Sequence, residues 1–169
     1  MDNIKKVKQQ MEDHREAVEK VINLAADILT IRAIHHDDSK LEEPEWSVFL
    51  KYTPKLWNCT FGSEEYMGYL KEMKVALDHH YHVNQHHPQA FDNGINGMTL
   101  IDLLEMLADW MAAVKRHKDG DIMKSIDINV PRFGISTQLQ EILVNTVNLL
   151  EFNRNAINKA KQAVKEAKK

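Results

Sequence analysis

The chain is poor in the residues that interrupt helices and in the residue that builds disulfides. Among its 169 residues there are six glycines, four prolines and a single cysteine. A lone Cys59 excludes an intrachain disulfide and any cysteine-rich zinc site, and it suits a reducing compartment, so a cytoplasmic setting is expected. No apolar run approaches the roughly 20 residues that span a bilayer. The stretch from Met1 to Glu12 alternates charges where a secretion signal carries an apolar core. Neither a membrane partner nor export is therefore expected. An excess of positive charge is also missing: 22 Lys and Arg stand against 25 Asp and Glu, a formal net charge of -3, which gives no reason to expect a nucleic-acid polymer as partner.

What is present is helical text. With 43% hydrophobic residues, a chain of this length is expected to bury one core and form one domain. No alternating apolar run makes a strand, so the expected class is all-α, a single helical bundle without internal repeats. Val18, Val21, Ala25, Ile28 and Leu29 recur at spacings of three and four, which predicts a helix over about 3–38 with that stripe in the core. From Leu41 to Gly62 the aromatics Trp46, Phe49, Tyr52, Trp57 and Phe61 gather around a short helix and a loop; they suit a pocket wall as well as a core. Ser63 is an N-cap for a helix that Pro88 must end near His86. Thr99 caps the next helix, which Asp119-Gly120 should end, and Pro131 with Gly134 reads as a loop. A last helix over about 136–167 finishes in a lysine-rich stretch that complements the helix dipole.

The chemistry lies in histidines and acids. His36-Asp37, followed by Ser39-Lys40, then His80, His86-His87 and Asp109, is an ordered series of metal-ligand types. Imidazole mixed with carboxylate suits manganese, iron, zinc or cobalt better than calcium. Five of the nine histidines fall between His79 and His87. On a continuous helix, His80, Asn84 and His87 would share one face while His79, His82 and His86 occupy another, so both sets cannot face one metal. In the next helix Asp102, Glu105 and Asp109 line one stripe. Asp102 reads as a solvated first-turn acid; Asp109, beside Trp110 in an apolar helix, reads as buried with a partner.

These residues carry a resemblance. His36-Asp37-Asp38-Ser39-Lys40, His80, His86-His87 and Asp109 resemble the ordered signature of the HD-domain metal-dependent phosphohydrolases, with Ser39 where related branches have glycine. More closely, His80-x-x-x-Asn84-x-His86-His87 and Glu105-Met106-x-x-Asp109-Trp110 look like an uncharacterised family of small HD-like proteins found in phages and gut bacteria. The resemblance covers roughly His14 to Trp110, the metal-site core of an HD-like fold.

It implies one or two divalent transition metals, held by His36, Asp37 and Asp109 with His14 from the first helix. His14 and His36 on one helix would lie about 33 Å apart, so this ligand set requires a break between them. His80 and one of His86 or His87 would bind a second metal or the substrate phosphate. Lys40, one turn beyond His36, would meet a phosphate oxygen or pair with a nearby acid. Glu105 would orient a ligand histidine or a water.

The expected activity is hydrolysis of a nucleotide or related phosphoester through a metal-activated water. A histidine of the His80 to His87 group, switching charge at about pH 6 to 7, would protonate the leaving oxygen. Trp46, Tyr52, Trp57 and Phe61 could stack on a base. The alternative is a non-catalytic module of HD-like fold that sequesters a nucleotide or metal, or regulates a partner. Neither the paired Glu-x-x-His of di-iron bundles nor a His-Glu-x-x-His motif occurs. Homo-oligomerisation stays open at this level.

Overall fold

A computed structural model describes residues 2–57, 59–60, 63–116 and 120–167. Among them every regular element is helical and no strand occurs. Among the described residues no helix is long and apolar enough to cross a membrane. The chain divides into two compact units, Met1–Met106 and Leu107–Lys169.

In the first unit α1 (Asp2–Ile34) leads into a 3-10 turn (Asp38–Leu41) and then α2 (Glu45–Leu56), α3 (Glu64–Glu72) and α4 (Lys74–Val83). Two further 3-10 turns, Pro88–Ala90 and Gly94–Gly97, precede α5 (Leu100–Ala113), a single helix that begins in this unit and ends in the next. Tyr52, Met73, Ala76, Ile95 and Met106 are the buried apolar residues here. The Tyr52 hydroxyl donates to Glu72 across 2.6 Å, which satisfies a buried polar tip.

Several expectations are corrected. The first helix is continuous, with no break between His14 and His36. Its apolar stripe is not core: Val18, Val21 and Ile28 are exposed, and only Ala25 and Leu29 of the five are half-buried. Periodicity reports an amphipathic face but not what covers it. The helix begun by Ser63, whose side chain caps it by accepting from Tyr66 N–H, does not run to His86. It gives way at Met73 and resumes as α4, which ends at Val83. Asn84 is extended, with φ -102° and ψ 114°, so the backbone leaves the helix before His86-His87.

At the start of α5, Thr99 and Asp102 make a reciprocal capping box: Asp102 N–H donates to Thr99 Oγ1, and Asp102 Oδ2 accepts from Thr99 N–H at 2.7 Å and from its hydroxyl at 2.6 Å. Asp102 is thus buried, not solvated.

In the second unit the expected loop around Pro131 is a helix, α6 (Ile122–Phe133). Asp121 caps it by accepting from the N–H groups of Met123 and Lys124. Pro131 sits in its last turn, and Gly134, left-handed with φ 65°, ends it while Ile135 N–H bonds Val130 O. Ile126 from α6 and Leu143 and Val147 from α7 (Thr137–Ala167) are buried, and the Trp110 and Phe133 rings stack at 6.2 Å. Helix α5 ends at Ala113, earlier than Asp119, which lies outside the described residues, as does Phe61.

Candidate metal centre

The site forms where the end of α1 meets α2, α4 and the first turns of α5. Helix α1 stops at Ile34, and Asp37 then adopts a left-handed backbone, φ 64° and ψ 17°, the one non-glycine among the described residues at positive φ. Aspartate tolerates this conformation better than most residues, yet it remains a cost of order 1 kcal/mol or more that surrounding contacts must hold in place. The turn leaves the His36 and Asp37 side chains half-buried at the site. Lys40, from the 3-10 turn that follows, donates to Asp37 Oδ2 at 2.5 Å and lies 5.6 Å from the centre of the Phe49 ring.

Three imidazoles present the same nitrogen to Asp37. His36 Nε2 lies 3.5 Å from Oδ2, and His80 Nε2 and His86 Nε2 lie 3.3 and 3.4 Å from Oδ1. Their opposite nitrogens face carboxylates. His36 Nδ1 is 2.8 Å from Glu105 Oε1, His86 Nδ1 is 3.3 Å from the same oxygen, and His80 Nδ1 is 2.9 Å from Glu45 Oε2. An ionised carboxylate can only accept, so these contacts favour rings protonated on Nδ1 with a bare lone pair on Nε2. Asp37 Oδ1 and His86 Nε2 are buried and receive no hydrogen bond. Lone pairs aimed at an anion repel unless a cation lies among them.

The distance from each ring to Asp37 also suits an ion shared between them. Two donors each about 2.1 Å from one ion stand about 3.4 Å apart at the tetrahedral angle. His80, His86 and His87 form a second group with convergent donor atoms, as do His36, His86 and Glu105. The ring centres of His86 and His87 are 4.1 Å apart. Three imidazoles with a carboxylate are a donor set for zinc, manganese, iron or cobalt, and each ring has the outer-shell acid that metal-binding histidines use.

Electrostatics follow from these neighbours. Burial pushes the Asp37 carboxyl up, but the hydrogen bond and charge of Lys40 oppose it, and the group is held well below the usual carboxylate range. His80 is shifted down, chiefly by burial and then by the Lys40 charge, against the opposing pull of Asp37 and Glu45. Arg32, near the end of α1, ion-pairs through Nε with Glu105 and through Nη1 with Asp102, tying α1 to the start of α5.

The structure brings His36, Asp37, Lys40, His80, His86, His87 and Glu105 together. It does not bring His14, which is exposed in the middle of unbroken α1, about 33 Å of helix from His36. Asp109 is half-buried on α5, one turn after Glu105, in the second unit. The supposed division between the faces of His80 and His86 dissolves because α4 ends between them. Of the aromatics read as pocket wall or core, Tyr52 is in the core, Trp46 and Trp57 are exposed, and Phe61 lies outside the described residues.

Two contributors were not singled out from sequence, Arg32 and Glu45. A clue existed for both: clustered ligand histidines need acids behind them, and an interior acid needs a cation. A family model described as a family of unknown function (DUF5662) matches residues 3–155. No curated protein and no solved structure matches the chain.

Proposed function

We propose, for a chain that belongs to the family of unknown function DUF5662, an HD-type metal-dependent phosphohydrolase acting on a small phosphoester in a cytoplasmic setting. One observation carries the reading: three imidazole Nε2 atoms lie 3.3 to 3.5 Å from the Asp37 oxygens, with carboxylates behind all three rings.

His36, Asp37, His80 and His86 would hold the ion. A bound divalent ion supplies Lewis acidity and brings a water's pKa towards neutrality. Lys40 is the cation nearest this centre, and on turning from Asp37 its ammonium would meet a phosphate oxygen. That gives it a part in neutralising charge on the substrate. His87, half-buried beside His80 and His86, would hold a proton for the leaving oxygen. A nucleotide is the substrate that the HD resemblance favours. Support from stacking aromatics is thinner than the sequence suggests, since Trp57 is 77% exposed and Tyr52 only 6%.

The test is metal content per chain by mass spectrometry on untagged protein, followed by a panel of nucleotides and simple phosphoesters assayed with manganese, iron, zinc or cobalt. Bound metal with turnover is expected. Metal or nucleotide bound tightly with no turnover on any ester would replace the enzyme with the non-catalytic module, and a protein that binds no metal at all would overturn the reading.

A further inference from the structure

Glu45 is wholly buried, 0% exposed, at the first position of α2, and nothing in the ordered signature contains it. Each of its oxygens meets a different histidine: Oε1 is 2.7 Å from His79 Nδ1 and Oε2 is 2.9 Å from His80 Nδ1. A carboxylate shielded from water must find its donors within the protein, because an unsatisfied buried charge is far costlier than the bonds are worth. Among the described residues, the Glu45 side-chain oxygens find these donors in the two ring nitrogens.

His80 Nδ1 has two competing neighbours, the Asn84 amide and, at 3.3 Å, the Ser39 hydroxyl. Asn84 Nδ2 lies 3.0 Å from Nδ1, and a donation from that amide would require Nδ1 to be bare and would put the ring hydrogen on Nε2, facing Asp37. The amide has two hydrogens and two better-placed acceptors, Ser39 Oγ at 2.8 Å and His80 O at 2.9 Å. With both amide hydrogens so used and the Ser39 hydroxyl at the longer distance of 3.3 Å, the buried Glu45 carboxylate at 2.9 Å is the best partner of His80 Nδ1, and an ionised carboxylate can only accept from it. We infer that Glu45 is a positioning residue that holds His80 in the Nδ1-protonated tautomer, so that its Nε2 lone pair faces Asp37 and is ready for a cation.

Its consequence for metal affinity rests on the proposed metal site, whereas the tautomer does not. His79, on the solvent side of Glu45, then serves as the second donor that satisfies the buried acid. This explains why two adjacent histidines, which point about 100° apart around a helix, both turn a nitrogen to one carboxylate.

The experiment reads the His80 ring directly. In metal-free, 15N-labelled full-length protein, long-range proton-nitrogen correlation distinguishes the protonated from the bare ring nitrogen. Wild type should show a protonated Nδ1 and bare Nε2 at His80, and Asn84→Ala should leave that unchanged. Glu45→Gln, whose amide can donate to one ring, should raise the Nε2-protonated population and weaken zinc binding, measured against a chromophoric chelator, by roughly 10- to 100-fold. Glu45→Asp should recover part of the loss.

A wild-type His80 protonated on Nε2 would overturn the inference without needing any variant to fold. So would a folded Glu45→Gln protein that keeps both tautomer and affinity. A protonated Nδ1 in a wild type that takes up no zinc would uphold the orienting role of Glu45 and overturn the metal site instead.

Discussion

Glu105 Oε1 lies 2.8 Å from His36 Nδ1, and its second oxygen accepts from Arg32, two residues before the end of α1. One side chain therefore fixes a ring at the centre of the site and anchors the helix that delivers it. Glu105→Gln keeps the shape and loses the charge. Its amide cannot satisfy both His36 and the Arg32 guanidinium. Metal affinity should fall by roughly 10- to 100-fold, the usual cost of removing an outer-shell carboxylate. Isothermal titration with zinc or manganese checks this, and circular dichroism should show helical content unchanged.

Asp37→Asn separates folding from binding. Asparagine also accepts the left-handed backbone found at φ 64°, so the turn survives. The substitution removes the anion towards which the three rings point, and in the metal-free protein it also removes the Lys40 partner. The expected result is near-complete loss of bound metal at stoichiometric loading, with a thermal midpoint within a few degrees of wild type. A variant retaining full metal occupancy would remove Asp37 from the ligand set.

That His36, Asp37, His80, His86 and His87 would come together could be anticipated because ligand chemistry constrains residue type, and the all-helical class was legible because spacing of three and four with few glycines admits little else. Contacts across long separations were not. Periodicity could not tell that α1 exposes its stripe, so Val21 read as core. Composition could not place Glu45 behind His80, thirty-five residues away. Pro131 read as a breaker although a proline in a final turn leaves the bonds before it intact, and Asp121 supplied the missing start signal for α6. His14 failed because the break that it required has no counterpart in unbroken α1. Its replacement, His14→Ala, should leave metal content unchanged within error by mass spectrometry.

Lys40→Met tests whether the lysine serves the substrate or the fold. The thioether keeps contact with Phe49 and loses the charge that now pairs with Asp37. If Lys40 meets a phosphate oxygen, kcat/KM towards a hydrolysed phosphoester should drop by about 100- to 1000-fold, the range found for losing one charge-stabilising donor. Metal content should stay at the wild-type level or rise, because a competing cation has been removed. Equal losses of metal and activity would assign the lysine to the site's architecture.

Acid sensitivity should trace in part to Asp102. Burial would raise its pKa, but the bonds from Thr99 and the Arg32 guanidinium prevail and hold the carboxyl below its ordinary value. A carboxyl depressed in the folded state contributes stability that is present above the unfolded value of about 3.9 and is lost as pH falls through the folded one. Wild type should therefore lose stability on descending from about pH 5, more steeply than a variant without this group. Asp102→Asn removes that dependence, and its single amide oxygen can accept from Thr99 or from Arg32 but not from both. It should cost about 1 to 3 kcal/mol at neutral pH, and the two proteins should converge as the pH is lowered. Urea unfolding at a series of pH values measures both. Parallel curves from neutral pH down to acid would show that Arg32 and Thr99 do not stabilise the ionised form.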